Sequence, residues 1–403
     1  MDDVIIVGTG ECYYKLVGKP LEEMQRKGLV NVIGTVDLRP KDASKQDPFA
    51  NAPHILREKK QSLCEVLNNY KEKNPVVFLI HSNEFHTPDA EELIEGGFRA
   101  LVEKPYSITV PQANIMKNLV KNHPKSIALA EYYLAMKSAA LMVLAGIVKK
   151  DGFLFTDNML KPQGNLKDPS MLHGKLREVI GEPKKVSVYI LEGILDGIGS
   201  VDYRGPHLTD LRLGGGMIQD LGLHALTPVL ALEEYLGSIN PSFANGKIKI
   251  ARAHEYIAMA EQKFGLMLDD IGESYAEMDL VTSQGIPVHI AVGKYIPKNN
   301  RQIIIEGSKG KVVLDLNDCV LTCLPDNNAS PYFGCQLGCQ KSYVPVIRSG
   351  LEELSSKSAY TISVTAVAWN AQELVLNVLN KAHSAKQDIR YASTIDNPEK
   401  IFK

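Results

Sequence analysis

The first 130 residues alternate short apolar runs with longer amphipathic stretches, and no other feature restricts the fold as much. Val4-Ile5-Ile6-Val7 is the first run, followed by runs at residues 31–37, 75–80, 98–102 and 126–130. Runs this short and this rich in Val, Ile and Phe read as strands covered on both faces. After the third run, Thr87-Pro88-Asp89-Ala90-Glu91 predicts a helix start, with Thr as cap, Pro in the first turn and acids at the positive end. A second helix is expected over 111–121. Strands separated by helices pair in parallel, because the chain must cross back over the sheet before the next strand begins.

Beyond about residue 130 the rhythm changes. Residues 135–149 predict a helix, and a polar stretch rich in turn formers follows at 157–167. Alternating segments then appear at 185–191, 275–282, 287–292, 302–306 and 311–316, punctuated by Gly285-Ile286-Pro287 and Ser308-Lys309-Gly310. Such a pattern suits an antiparallel sheet with one covered face. Helices are expected over 225–235 and 365–381. A chain of 403 residues exceeds what one hydrophobic core usually supports. The fold class is therefore α/β followed by α+β, with a boundary at 130: residues 1–130 and 131–403.

Lys plus Arg number 45 against 47 Asp plus Glu, a balance that gives no electrostatic reason to expect nucleic acid or an anionic membrane as partner. Met1-Asp2-Asp3 runs straight into an apolar strand without the basic start of a secretory leader, so the expected location is cytoplasmic. Six cysteines are too few for a disulfide scaffold. Cys319 and Cys323 read as part of a strand, which would hold their sulfurs some ~13 Å apart. Zinc needs ligands at about 2.3 Å, so buried or loop thiols are expected there and at Cys335 and Cys339, and no metal is assigned.

Four motifs carry chemistry. Gly8-Thr9-Gly10-Glu11-Cys12-Tyr13 ends the first strand, where two glycines let the backbone turn tightly and approach a pyrophosphate at a helix N-terminus. Tyr13 stands where a third glycine is usual, and Gly18-Lys19-Pro20 is expected to interrupt the helix. Asp37 ends the second strand, where an acid can accept from ribose hydroxyls and repel a 2′-phosphate. Arg39, two residues on, could instead pair with that phosphate, so NAD is favoured and NADP stays open. Glu103-Lys104-Pro105 follows the fourth strand, which aims Lys104 at any ligand lying beyond the carboxyl ends of the strands. Lastly, Gly214-Gly215-Gly216 precedes Asp220 and His224, which share one face if the segment is helical. For each motif alone a structural role is a fair alternative; the combination points to a site.

In the order and spacing of these motifs the chain resembles the glucose–fructose oxidoreductase, inositol dehydrogenase and rhizopine-catabolism (Gfo/Idh/MocA) family. The resemblance rests on the Gly8/Gly10 turn, Glu103-Lys104-Pro105, the Gly-Gly-x-x-x-Asp-x-Gly-x-His run from Gly215 to His224, and the segment 80–86 as the cofactor loop. It implies an N-terminal Rossmann dinucleotide-binding domain and a substrate-binding and oligomerisation domain built on a large open, mainly antiparallel sheet. It further implies a cofactor site of Gly8, Thr9, Gly10, Glu11, Asp37, Leu38, Arg39, Ser82, Asn83, His86, Glu103 and Lys104. By the same resemblance Lys104 contacts nicotinamide and substrate, the Lys104-Pro105 bond is cis, Asp220 orients the substrate and His224 is the acid/base. The expected activity is NAD(P)-dependent interconversion of a secondary alcohol and a ketone on a sugar, cyclitol or nucleotide-sugar, in a homo-oligomer (dimer or tetramer). Two alternatives stay open: a non-catalytic dinucleotide-binding regulator, and a glycoside-cleaving enzyme that oxidises only transiently. Tyr13 and the lack of an acid in Ala225-Leu226-Thr227 depart from the family pattern. Residues 151–170 read as additional loop, while Tyr132, Tyr133, Asp202, Tyr203, Arg204 and His207 have side chains suited to a polyol.

Overall fold

The computed structural model describes residues 1–160, 168–193, 206–239, 248–296, 299–325, 333–336, 342–384, 389–391 and 401. The chain forms two compact units. The first comprises Met1–Tyr132 with the returning segments Lys341–Ser358 and Ser363–Trp369; the second comprises Tyr133–Gln340, Ala359–Ile362 and Asn370–Lys403.

The sheet of the first unit contains β1 (Asp2–Val7), β2 (Val30–Asp37), β3 (His54–Leu56), β4 (Val76–Leu79), β5 (Arg99–Val102) and β6 (Ile127–Leu129). Their order is β3-β2-β1-β4-β5-β6, and every pairing is parallel. This is the Rossmann arrangement: the order reverses between β1 and β4, leaving a crevice beyond their carboxyl ends. All four residues of β4 and the last four of β1 are buried, as their apolar runs require. Helix Val344–Leu354 packs on β5 and β6, so closely that a Cβ on Gly350 would collide with the Leu101 side chain. That packing draws 341–358 into the first unit.

In the second unit β7 (Pro183–Gly193), β8 (Ile248–Ala253), β9 (Tyr275–Val281), β10 (Pro287–Ile296), β11 (Asn300–Gly307), β12 (Gly310–Asp315), β13 (Val320–Pro325), β14 (Phe333–Gln336) and β15 (Ile389–Tyr391) form a nine-stranded sheet. The order is β14-β13-β12-β11-β7-β10-β9-β8-β15; β7 with β10 and β8 with β15 are parallel, the remaining pairs antiparallel. In β12, Val312 and Leu314 are buried while Lys311 is exposed, the alternation of a sheet with one covered face.

The structure departs from the sequence expectations at several points. Strands β3, β8, β14 and β15 and helix His254–Phe264 are additional. Cys319 lies in the turn before β13 at φ 56 rather than in the strand; it and Cys323 are buried thiols. Cys335 is described only by its backbone, and Cys339 lies outside the described residues. The helix expected over 135–149 is a π-helical turn, Tyr133–Lys137, and a six-residue α-helix, Ala139–Leu144; Gly146 at φ 76 supplies the left-handed exit. Helix His86–Glu95 starts before Thr87, whose hydroxyl donates to Tyr106 O instead of capping. Among the described residues no helix is long and apolar enough to cross a membrane.

Candidate functional site

In the first unit the predicted residues gather at the carboxyl ends of the parallel strands. Gly8, just past β1, adopts φ +106, and a Cβ there would lie 2.7 Å from His81 N, which follows β4. The two loops at the switch point thus touch only because residue 8 has no side chain. At Gly10 the situation is opposite. A Cβ there would meet nothing nearer than Arg39 Nη2 at 4.0 Å, so glycine is not required by the protein's own packing. The missing side chain instead leaves open space at a helix start, the kind of place suited to a pyrophosphate.

Asp37 closes β2 over this turn. Its Oδ2 accepts from Thr9 N at 2.6 Å and Thr9 Oγ1 at 3.0 Å, and its Oδ1 accepts from Arg39 N at 3.0 Å. A carboxylate oxygen has two lone pairs, so Oδ1 keeps capacity for a ribose hydroxyl whereas Oδ2 is filled by Thr9. The Arg39 side chain is 78% exposed, with Nε 3.9 Å from Asp37 Oδ1, leaving its guanidinium available to a phosphate. Leu38 beside it is half-exposed. These groups fit a dinucleotide, with or without a 2′-phosphate.

Glu11 opens the helix after the turn and forms ion pairs with Lys15, at 2.8 Å, and Lys45. Hydrogen bonds from those two lysines, Lys15 foremost, hold its carboxyl below the usual range. Tyr13 does not obstruct the turn. It is fully buried, and its hydroxyl donates to Asp47, whose carboxylate also pairs with Lys41 at 2.5 Å. Nor do Gly18-Lys19-Pro20 interrupt the helix: a π-helical turn, Tyr13–Val17, absorbs the irregularity, and an α-helix, Gly18–Arg26, continues from it.

The loop after β4 is fixed from inside. His81 Nε2 lies 2.8 Å from Asp89 Oδ2, and Arg57 grips the same carboxylate with two bonds of 2.6 and 3.0 Å. His86 is buried, with Nδ1 2.8 Å from Pro105 O and Nε2 3.1 Å from His81 O. Burial first, and His81 second, lower its pKa to about 3, so the ring is neutral and donates to one carbonyl at a time. Both ring nitrogens therefore face the protein, and His86 ties the 81–86 loop to Pro105. Ser82 is exposed and Asn83 half-buried on the same loop.

Lys104 follows β5 with a half-buried side chain, and the Lys104-Pro105 peptide is cis, as the resemblance implies. Glu103 beside it is buried and accepts a hydrogen bond from Tyr343, whose ring stacks on Tyr132 at 5.7 Å. Burial pushes the Glu103 carboxyl up to about 7, against the opposing pull of Tyr343 and Lys104. A folded-state pKa above the unfolded value means that the folded chain binds the proton more tightly between about 4.5 and 7. Stability from this residue is thus present at low pH and lost as pH rises through 7. Glu103→Gln is expected to stabilise the protein by up to roughly 3 kcal/mol near pH 8 and hardly at all near pH 4, measured by denaturant unfolding at both.

In the second unit the glycine triplet serves close backbone packing. A Cβ on Gly215 would lie 2.6 Å from Asp210 N, and one on Gly216, at φ +103, would lie 2.7 Å from both Glu273 carboxylate oxygens. Glu273 in turn accepts from Ile218 N at 2.7 Å, capping the segment that follows. That segment is not a regular α-helix: Ile218–Gly222 is a π-helical turn, and the α-helix spans only Leu223–Ala231. Asp220 and His224 are thus separated by a wider turn than expected. Both are 6% exposed. His224 stacks on Tyr133 with ring centroids 4.5 Å apart and planes at 22°. Asp220 Oδ2 accepts from Lys294 Nζ at 2.7 Å, an ion pair that no sequence motif announces. A lysine inside the apolar run at 290–296 is the signal that marks it. Asp202, Tyr203 and Arg204 lie outside the described residues, while His207 is half-exposed.

No protein-family model and no curated protein matches the chain. Solved structures do. An oxidoreductase from Thermotoga maritima is similar at a TM-score of 0.64 and 16% identity, over 95% of this chain and 97% of that one. The 3-ketoreductase KijD10 from Actinomadura kijaniata, solved with NADP and TDP-benzene, is similar at a TM-score of 0.62 and 14% identity, over 97% and 99% of the two chains. At these identities the likeness establishes the fold, and it covers both units.

Proposed function

We propose that this protein is an NAD(P)-dependent oxidoreductase of the Gfo/Idh/MocA type, interconverting a secondary alcohol and a ketone on a sugar, cyclitol or nucleotide-sugar. One observation carries the proposal: an open glycine turn, an acid and a lysine stand at the carboxyl ends of β1, β2 and β5 in one Rossmann sheet. A dinucleotide needs the first two, and hydride transfer at a carbon bearing oxygen makes use of the third. Similarity to a ketoreductase solved with NADP supports the same reading.

When bound, the nicotinamide supplies the hydride chemistry; the protein supplies alignment and charge. Gly10 leaves room for the pyrophosphate, Asp37 accepts from the ribose, and Arg39 is available to a 2′-phosphate. The ammonium of Lys104 stabilises negative charge developing on the reacting oxygen. His224 takes the hydroxyl proton during oxidation and returns it during reduction, while Asp220 orients a neighbouring hydroxyl. Lys104 and His224 would then serve the same turnover.

The test is a panel of sugars, cyclitols and nucleotide-sugars followed at the NAD(P)H absorbance with both cofactors. Nucleotide-sugars come first, because KijD10 was solved with TDP-benzene. Turnover of at least one member is expected. Stoichiometric dinucleotide binding without turnover would favour the regulator, and cleaved glycoside without net NADH the transient oxidant. A dimer or tetramer, also expected, is read by light scattering.

A further inference from the structure

Lys294 is a buried lysine of the second unit, 1% exposed, and it sits in an otherwise apolar stretch of β10. Its ammonium lies 2.7 Å from Asp220 Oδ2 and 3.4 Å from Glu192 Oε2. Glu192, at the end of β7, is paired with Arg301 of β11. The register explains the row: Lys294 is directly opposite Glu192, and Arg301 is opposite Ile190 on the other side of β7. Two cations and two carboxylates thus alternate across three strands and end at Asp220.

A buried charge is tolerated only when it is paired, so this row is costly unless each member holds the next. The groups facing Asp220 can be named. His224 is on its own segment; Glu273 caps that segment; Tyr256 comes from helix His254–Phe264; Glu192, Lys294 and Arg301 come from the sheet. Burial, then Glu273, Tyr295 and Asp220, keep the Tyr256 hydroxyl protonated. Glu192 and Glu273 disfavour a third negative charge, while the Lys294 ammonium in direct contact favours it.

We propose that Lys294 is a positioning residue of the active site, holding Asp220 ionised and in place, with Glu192 and Arg301 fixing Lys294 in turn. The role in turnover rests on the oxidoreductase reading; the effect on Asp220 does not. In the substrate-free protein, carboxylate-labelled aspartate followed by NMR reports the ionisation of Asp220, its signal assigned by loss in Asp220→Asn. Lys294→Met is expected to raise the midpoint by at least about one pH unit, a tenfold weaker acid. Glu192→Gln, which leaves the ammonium to Asp220 alone, is expected to lower it, and serves if the first variant does not fold. An unmoved midpoint in the folded variant overturns the proposal.

With a substrate in hand, the acidic limb of the kcat profile for ketone reduction, where His224 works protonated and so does not set that limb, should move upward by the same amount in Lys294→Met, and Lys294→Arg should restore it. A uniform loss of kcat at every pH would mark Lys294 as merely structural and overturn its positioning role. If wild-type protein turns over nothing, the oxidoreductase reading fails while the titration still decides whether Lys294 holds Asp220.

Discussion

Protein carrying Asn in place of His224 is expected to lose between about 10² and 10⁴-fold in kcat, with a much smaller change in KM. Asn retains polarity at a buried position but cannot accept a proton near neutral pH. Moving hydride from a secondary alcohol without removing the hydroxyl proton leaves a protonated carbonyl, a state far above the neutral ketone, so the missing base is felt in the chemical step. Packing offers the competing explanation, because the imidazole stacks face to face on Tyr133. His224→Phe separates the two. Phe keeps an aromatic face against Tyr133 and removes the proton acceptor, so it should fall as far as Asn does. If His224→Phe keeps more than about a tenth of wild-type kcat, proton transfer by His224 is ruled out.

How much of this was visible in the chain depends on the range of the interactions involved. The six-stranded sheet was largely legible because burial on both faces forces continuous apolar runs, as in β1 and β4. The glycine turn, Asp37 and Lys104 were legible because the fold places strand ends where ligands bind, and strand ends can be read locally. Edge strand β3 was missed for the same reason in reverse: its three residues, His54–Leu56, are not buried and carry no pattern. Tyr13 looked like an intrusion in a phosphate turn, but its surroundings are set by Asp47, 34 residues away. His86 looked like a ligand contact and is an internal strut between two loops. Spacing singles out Asp220 and His224 as candidates, yet the π-helical turn between them changes their relation, and spacing cannot distinguish i+4 from i+5 bonding. Lys294 lies 74 residues from its partner, a distance over which only folding supplies the contact.

Lys104→Ala is expected to lower kcat and kcat/KM together, by about 10² to 10³-fold, while NAD(P)H binding changes by no more than roughly threefold. The equal fall follows from where the ammonium acts. It favours charge that exists on the substrate oxygen only in passage, as the hydroxyl proton leaves during oxidation or as hydride reaches the carbonyl carbon during reduction, so its removal costs the transition state and spares the ground state. Binding should survive because the groups suited to the dinucleotide, Gly10, Asp37 and Arg39, belong to other strands and make no use of this side chain. Lys104→Met, which retains most of the aliphatic stem, should lose as much as Ala, since the charge and not the packing is at issue. Fluorescence titration gives the binding constant and a saturating-cofactor assay gives kcat. A dinucleotide affinity weakened about a hundredfold with kcat intact would make Lys104 a binding residue and remove it from the chemistry. The double variant Lys104→Ala/His224→Asn then tests the joint role: residues serving one step lose little more together than the worse single loses alone, whereas independent losses multiply.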